Sequence, residues 1–93
     1  MKVKVKFFGH LRDLAGTNAI VEIDLEEGAT ISQLLDALFL DSKSMKTLLD
    51  EKKEIKPDIT LLKNGREIKF LEGMETRLNS GDEIAIFPVV VGG

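Results

Sequence analysis

The sequence predicts an α+β domain, a mixed five-stranded sheet covered on one face by one strong amphipathic helix. Three features carry that expectation. Residues 2–8 and 19–25 alternate apolar and polar side chains, the period of a half-buried strand. Thr30 opens an apolar stripe at helical spacing. Asn64-Gly65 sits between two further alternating runs, the strongest short-range hairpin signal. The helical segment separates the second strand from the third, so the sheet should mix parallel and antiparallel neighbours.

Along the chain, Val3, Val5 and Phe7 share one face of the first strand, with Lys2, Lys4, Lys6 and Phe8 on the other. Residues 9–17 hold two glycines and read as a turn or short helical bend. In the second strand Val21, Ile23 and Leu25 point inward, against Glu22 and Asp24 outward. Thr30 is a good N-cap, and Gln33 three residues on completes a capping box. Ile31, Leu34, Leu35 and Leu38 then follow at i, i+3, i+4 and i+7. Residues 41–56 are charged, with Met45, Leu48 and Leu49 at helical spacing, predicting a second, shorter helix that ends before Pro57.

The hairpin joins residues 59–64 to residues 66–70. A two-residue turn pairs Leu62 with Glu67, Leu61 with Ile68 and Ile59 with Phe70. Ile59, Leu61, Ile68 and Phe70 then share the inner face. Residues 71–78 read as an irregular or 3₁₀ segment and 79–82 as a turn. The last strand, 83–87, turns Ile84 and Ile86 inward. The expected division is a domain over residues 1–88 and a flexible tail over 89–93.

Ninety-three residues make one domain with one core. There is no cysteine, which excludes disulfides, thiolate nucleophiles and cysteine-ligated zinc. The net charge of −3 has the wrong sign for a general nucleic-acid binder. No apolar run approaches the roughly 20 residues that cross a bilayer. The start, MKVKVKFFGH, has no apolar core of a secretion signal. The expected setting is cytoplasmic, with no membrane and no nucleic acid as partner. No Trp, no Tyr and a single histidine leave few parts for a catalyst acting alone. Neither nucleotide-binding glycine motif is present, and no metal-ligand spacing is visible.

The chain closes on Val89-Val90-Val91-Gly92-Gly93, directly after Pro88. One reading is a frayed terminus. The other is a threaded substrate: extended, these five residues reach about 17 Å. Two residues without Cβ let the backbone enter a narrow channel. The reacting group is then the α-carboxylate of Gly93. A carboxylate is a poor electrophile and needs activation, for example by adenylation. The chain lacks a site for ATP, so a partner uses the ATP and the chain itself stably binds no cofactor. On this second reading the chain would be the substrate or carrier, not a catalyst alone.

Three stretches, FFGHLRDLAG (residues 7–16), LLKNGREIKFLEGMETRL (61–78) and GDEIAIFPVVVGG (81–93), together resemble the MoaD/ThiS family of ubiquitin-like sulfur carriers. Length and the double phenylalanine favour the MoaD branch, the small subunit of molybdopterin synthase. The resemblance implies a β-grasp, ubiquitin-like fold with a short second helix. It implies adenylation of Gly93 by a ubiquitin-activating-like adenylyltransferase (MoeB type), then conversion to a thiocarboxylate. Val91 and Gly92 would thread the tail into the synthase large subunit (MoaE type), where sulfur passes to the pterin precursor of the molybdenum or tungsten cofactor. Two features depart from the family: Val89 stands where a second proline is common, and residues 41–56 are longer and more charged. Related folds serve thiamine, cysteine and tRNA-thiolation pathways, and archaeal relatives are conjugated to lysines, a role Gly93 would equally fill.

The remaining candidates read as structural. His10, with Asp13 three residues on, suits a surface or turn-capping role, since no cleft or nucleophile accompanies it. Lys2, Lys4 and Lys6 form a solvated face. Glu26-Glu27 and Asp82-Glu83 are neighbours whose side chains diverge, not acid/base couples. Phe8, Leu62 and Phe87 are different. By alternation all three point away from the core, and clustered apolar groups mark partner surfaces. The resemblance implies that Phe8 and Phe87 contact the activating enzyme and the synthase large subunit, with Pro88 beside them.

Overall fold

The computed structural model describes residues 1–15, 19–40 and 42–89. Five strands, β1 (Lys2–Phe7), β2 (Ile20–Asp24), β3 (Ile59–Lys63), β4 (Arg66–Glu67) and β5 (Glu83–Pro88), form one sheet in the order β2-β1-β5-β3-β4. β1 and β5 are parallel neighbours, and every other pairing is antiparallel. This is the mixed sheet of a β-grasp domain. The first and last strands lie at its centre because the chain returns only after the helical crossover.

Helix α1 (Ile31–Leu38) packs on one face. The capping box is present: the Gln33 N–H donates to Thr30 Oγ1 at 3.3 Å, and the Thr30 N–H donates to Gln33 Oε1 at 2.9 Å. Two otherwise orphaned donors are thereby satisfied. Ile31, Leu34 and Leu35 are buried against Val3, Val5, Leu61, Ile84 and Ile86. Phe7 meets Phe39 edge to face, with ring centroids 6.0 Å apart. Leu38 differs from its neighbours. It sits at the last turn of α1, is half-buried, and packs on the edge of the core rather than within it.

Gly9–Ala15 form a 3₁₀ helix that buries Leu11, in line with the short helical bend read for residues 9–17. Two elements depart from the sequence reading. The second helix, α2, covers only Ser42–Leu48. The chain then turns back on itself: Leu49 pairs with Ile55, and Lys53 takes a φ of 61° between them. Met45 and Leu48 lie within α2, and Leu49 carries their apolar spacing one residue past its end, which is why periodicity alone overextended the helix. The hairpin register is right at Leu62–Glu67, but pairing ends there. Ile68–Phe70 coil into a 3₁₀ turn, so the expected pairs Ile59–Phe70 and Leu61–Ile68 do not form; on the other side of β3, Ile59 and Leu61 lie opposite Pro88 and Ile86 of β5. Phe70, expected inside, is 78% exposed.

The turn itself forms as read, with φ positive at both Asn64 (49°) and Gly65 (85°), as a primed two-residue hairpin requires. Asp82 ties it down. The buried carboxylate accepts from Asn64 Nδ2 at 2.9 Å and from the Asn79 N–H at 2.7 Å, while Asn64 Oδ1 accepts from the Glu83 N–H.

Candidate partner-docking face

The parallel register sets Lys6 beside Ala85 and Phe7 beside Ile86, which brings Phe8 level with Phe87. The Phe8 N–H donates to the Ile86 carbonyl at 3.0 Å, continuing the ladder one residue past β1. The two rings meet edge to face at 6.0 Å and 89° on the face away from α1. Phe8 is 45% exposed and Phe87 half-buried beneath it. Leu62 lies on the adjacent strand opposite Ala85, and Thr60 lies opposite Phe87. Sequence alternation therefore placed Phe8, Leu62 and Phe87 on one surface, and the strand order makes them neighbours.

One apolar member was missed. Ile20 opposes Lys6 on the same outer face and is 51% exposed. It has the parity of Glu22 and Asp24, so the alternation already pointed it outward. The other end of this face is charged. Lys6 pairs with Glu83, and the Lys6 hydrogen bond and charge, helped by Lys4, hold the Glu83 carboxyl below its ordinary range.

Pro88 is the last residue of β5 and packs against Gly9. A Cβ on Gly9 would stand 2.9 Å from Pro88 Cγ, and Gly9 has a φ of 59°, so the position takes glycine on both counts. Beyond it, the Val89 N–H donates to the Asp58 carbonyl at 2.9 Å. Phe8, Phe87 and Pro88 thus lie beside the root of the tail. Val91, Gly92 and Gly93 lie outside the described residues. His10 is exposed in the 3₁₀ helix. Among the described residues no three His, Asp or Glu side chains gather as a metal site, and no helix is long and apolar enough to cross a membrane.

The sequence profile of the ThiS family matches residues 5–93, from the first strand through the Gly-Gly terminus. The chain belongs to the ThiS family. Small archaeal modifier protein 3 of Haloferax volcanii is 36% identical over 93 residues, covering 100% of both chains. A putative sulfur carrier protein of Archaeoglobus fulgidus is 39% identical over 74 residues, 78% of this chain and 83% of its own. At 26% identity, the molybdopterin synthase sulfur carrier subunit of Mycobacterium tuberculosis is similar over 100% of this chain and 99% of its own. Among solved structures, small archaeal modifier protein 1 of Methanosarcina acetivorans superposes with a TM-score of 0.75 at 37% identity, covering 99% and 96% of the two chains. The BexX/CysO complex of Amycolatopsis orientalis contains a chain with a TM-score of 0.75 at 27% identity, covering 98% and 99%. The ThiS-family chain therefore shares its fold with sulfur carriers and with protein modifiers.

Proposed function

We propose that this ThiS-family chain is a cytoplasmic sulfur carrier that reacts at the α-carboxylate of Gly93. The carboxylate attacks the α-phosphorus of ATP held by a ubiquitin-activating-like adenylyltransferase, and pyrophosphate leaves. Hydrosulfide then attacks the acyl carbon, AMP leaves with the bridging acyl oxygen, a proton is released, and a thiocarboxylate remains. The domain supplies docking, and the partner supplies the nucleotide site. What supports the reading is the family match running through Gly92-Gly93, on a domain whose Phe8–Phe87 pair lies beside the root of that tail.

The experiment is incubation with the activating enzyme, ATP and a sulfur donor, followed by intact mass. Replacement of one oxygen by sulfur, localised to the last peptide, is expected. An unmodified terminus under conditions that activate a relative refutes it. Delivery to a molybdopterin synthase large subunit is the sulfur acceptor proposed here. Reconstitution with that subunit and the pterin precursor tests it separately.

A second reading, conjugation to lysines of other proteins, is favoured by the full-length similarity to small archaeal modifier protein 3. Both begin with the same acyl-adenylate. In a lysate blot, a ladder lost on deletion of Gly93 means conjugation, and a single low-mass band means the carrier role.

A further inference from the structure

The sheet is unfinished on its β4 side. β4 pairs with β3 only at Leu62 and Lys63, and the chain then leaves the sheet in the 3₁₀ turn Ile68–Phe70. Among the described residues, 59–61 consequently have β5 on one side and no strand on the other. The bonds from the Val89 N–H to the Asp58 carbonyl and from the Asn64 N–H to the Glu83 carbonyl fix the phase of the ladder. Antiparallel alternation then aims the main-chain groups of Thr60 and Leu62 at β5, and those of Ile59 and Leu61 at the open side. The Ile59 N–H is bonded to the Lys56 carbonyl, and the Leu62–Glu67 pairing takes the Leu61 carbonyl for the Ile68 N–H, so that side presents the Ile59 carbonyl and the Leu61 N–H.

A groove of about 810 Å³ runs along this edge. Ile55, Leu61, Ile68 and Met74 give it an apolar lining. Lys52, Lys53 and Lys56 enter from one loop, and that loop is held in shape. Asp50 Oδ1 accepts from the Lys52 and Glu54 N–H groups at 2.8 and 3.0 Å, and the Leu49–Ile55 bridge closes the loop. Of the groove's charges, Lys69 is paired with Glu67. Among the described residues Lys52, Lys53 and Lys56 have no ion pair, against the unpaired carboxylates of Glu54 and Glu75. The groove thus carries a surplus of positive charge on a chain whose net charge is −3.

We propose that this groove takes an extended peptide segment of a partner, apolar at its centre and acidic at its flanks, which adds to the sheet as a strand beside β3. One of its N–H groups donates to the Ile59 carbonyl and one of its carbonyls accepts from the Leu61 N–H, alternate side chains enter the apolar lining, and its carboxylates meet the 52–56 lysines. Lysines beside an open edge repel a second copy of the same edge, whereas an acidic strand neutralises them. This site is distinct from the Phe8–Phe87 face and does not depend on the chemistry of the tail.

The test is an amide-shift titration of the full ¹⁵N-labelled chain with the acetylated, amidated peptide Glu-Glu-Val-Thr-Val-Thr-Val-Glu-Glu. Shifts at Ile59, Leu61, Ile68 and the 52–56 loop are expected, with sub-millimolar affinity. Replacing the four glutamates by lysine should weaken binding about tenfold or more, because each exposed pair contributes modestly. The variant K52E/K53E/K56E should reverse that preference while melting like the parent. A peptide N-methylated at its valines, with charge and shape kept, should lose binding because the strand donors are gone. No shifts at about 1 mM peptide, shifts confined to the Phe8–Phe87 face, or equal binding of the N-methylated peptide would each overturn the proposal.

Discussion

Gly9→Ala probes the joint between the domain and its tail. Gly9 has a φ of 59°, and an L side chain there costs about 1–2 kcal/mol. The added Cβ also meets Pro88 Cγ at 2.9 Å and Cδ at 3.2 Å. A proline ring cannot rotate away, and Pro88 is held in register by Ile59. Overpacking against such a neighbour costs about 1–3 kcal/mol more. The total of about 2–5 kcal/mol corresponds to a fall in melting temperature of at least about 8 °C for a domain of this size. Gly28→Ala is the matched control: its φ is 81°, yet nothing lies within 4 Å of the added Cβ. It should lose about 1 kcal/mol, the backbone part alone. Thermal unfolding of both variants by circular dichroism measures the difference. If Gly9→Ala melts within about 2 °C of Gly28→Ala, the Pro88 contact constrains nothing, and the account of how the tail root is fixed is wrong.

Other perturbations sort core, face and charge. Leu34→Ala should cost about 2–5 kcal/mol in denaturant unfolding, as for any fully buried leucine, and half-buried Leu38→Ala distinctly less. Phe8→Ala should leave the fold nearly as stable as the parent, losing about 1 kcal/mol of ring pairing, while weakening association with the activating enzyme by about 2 kcal/mol, read by calorimetric titration. Phe87→Ala should cost more stability than Phe8→Ala, because Phe87 is the more buried of the two rings. Lys6→Gln should raise the Glu83 titration midpoint toward its ordinary value of 4.5, followed by carboxyl chemical shift. Because the folded-state value is depressed, the Lys6–Glu83 contribution is complete above pH 4.5 and fades as pH falls through the lower folded value. An unmoved Glu83 midpoint in Lys6→Gln would assign its shift to another group.

Much of this architecture was legible because local signals and burial agree. The Thr30–Gln33 capping box, the Asn64-Gly65 turn and the alternation in β1, β2 and β5 each depend on residues a few positions apart. The same alternation assigned Phe8, Leu62 and Phe87 to the outer face, and it also held Ile20. What periodicity could not supply was where an element stops. Met45, Leu48 and Leu49 continue a helical stripe into a turn, and only the Leu49–Ile55 bridge and the Asp50 bonds show that the helix has ended. Phe70 continued a strand pattern past the point where Ile68 turns out of the sheet.

By itself the sequence determined the helix start, the hairpin turn, the inward face of each main strand and the Gly-Gly terminus, since nearest neighbours and side-chain parity decide these. Only the tertiary structure decided which strands are adjacent. That order puts Phe8 on Phe87, presses Gly9 against Pro88, and, among the described residues, leaves 59–61 without a strand on one side, beside the 52–56 lysines. These juxtapositions join residues tens of positions apart. They arise because burying α1 selects one closure of the sheet, and no short-range pattern in the chain encodes that choice.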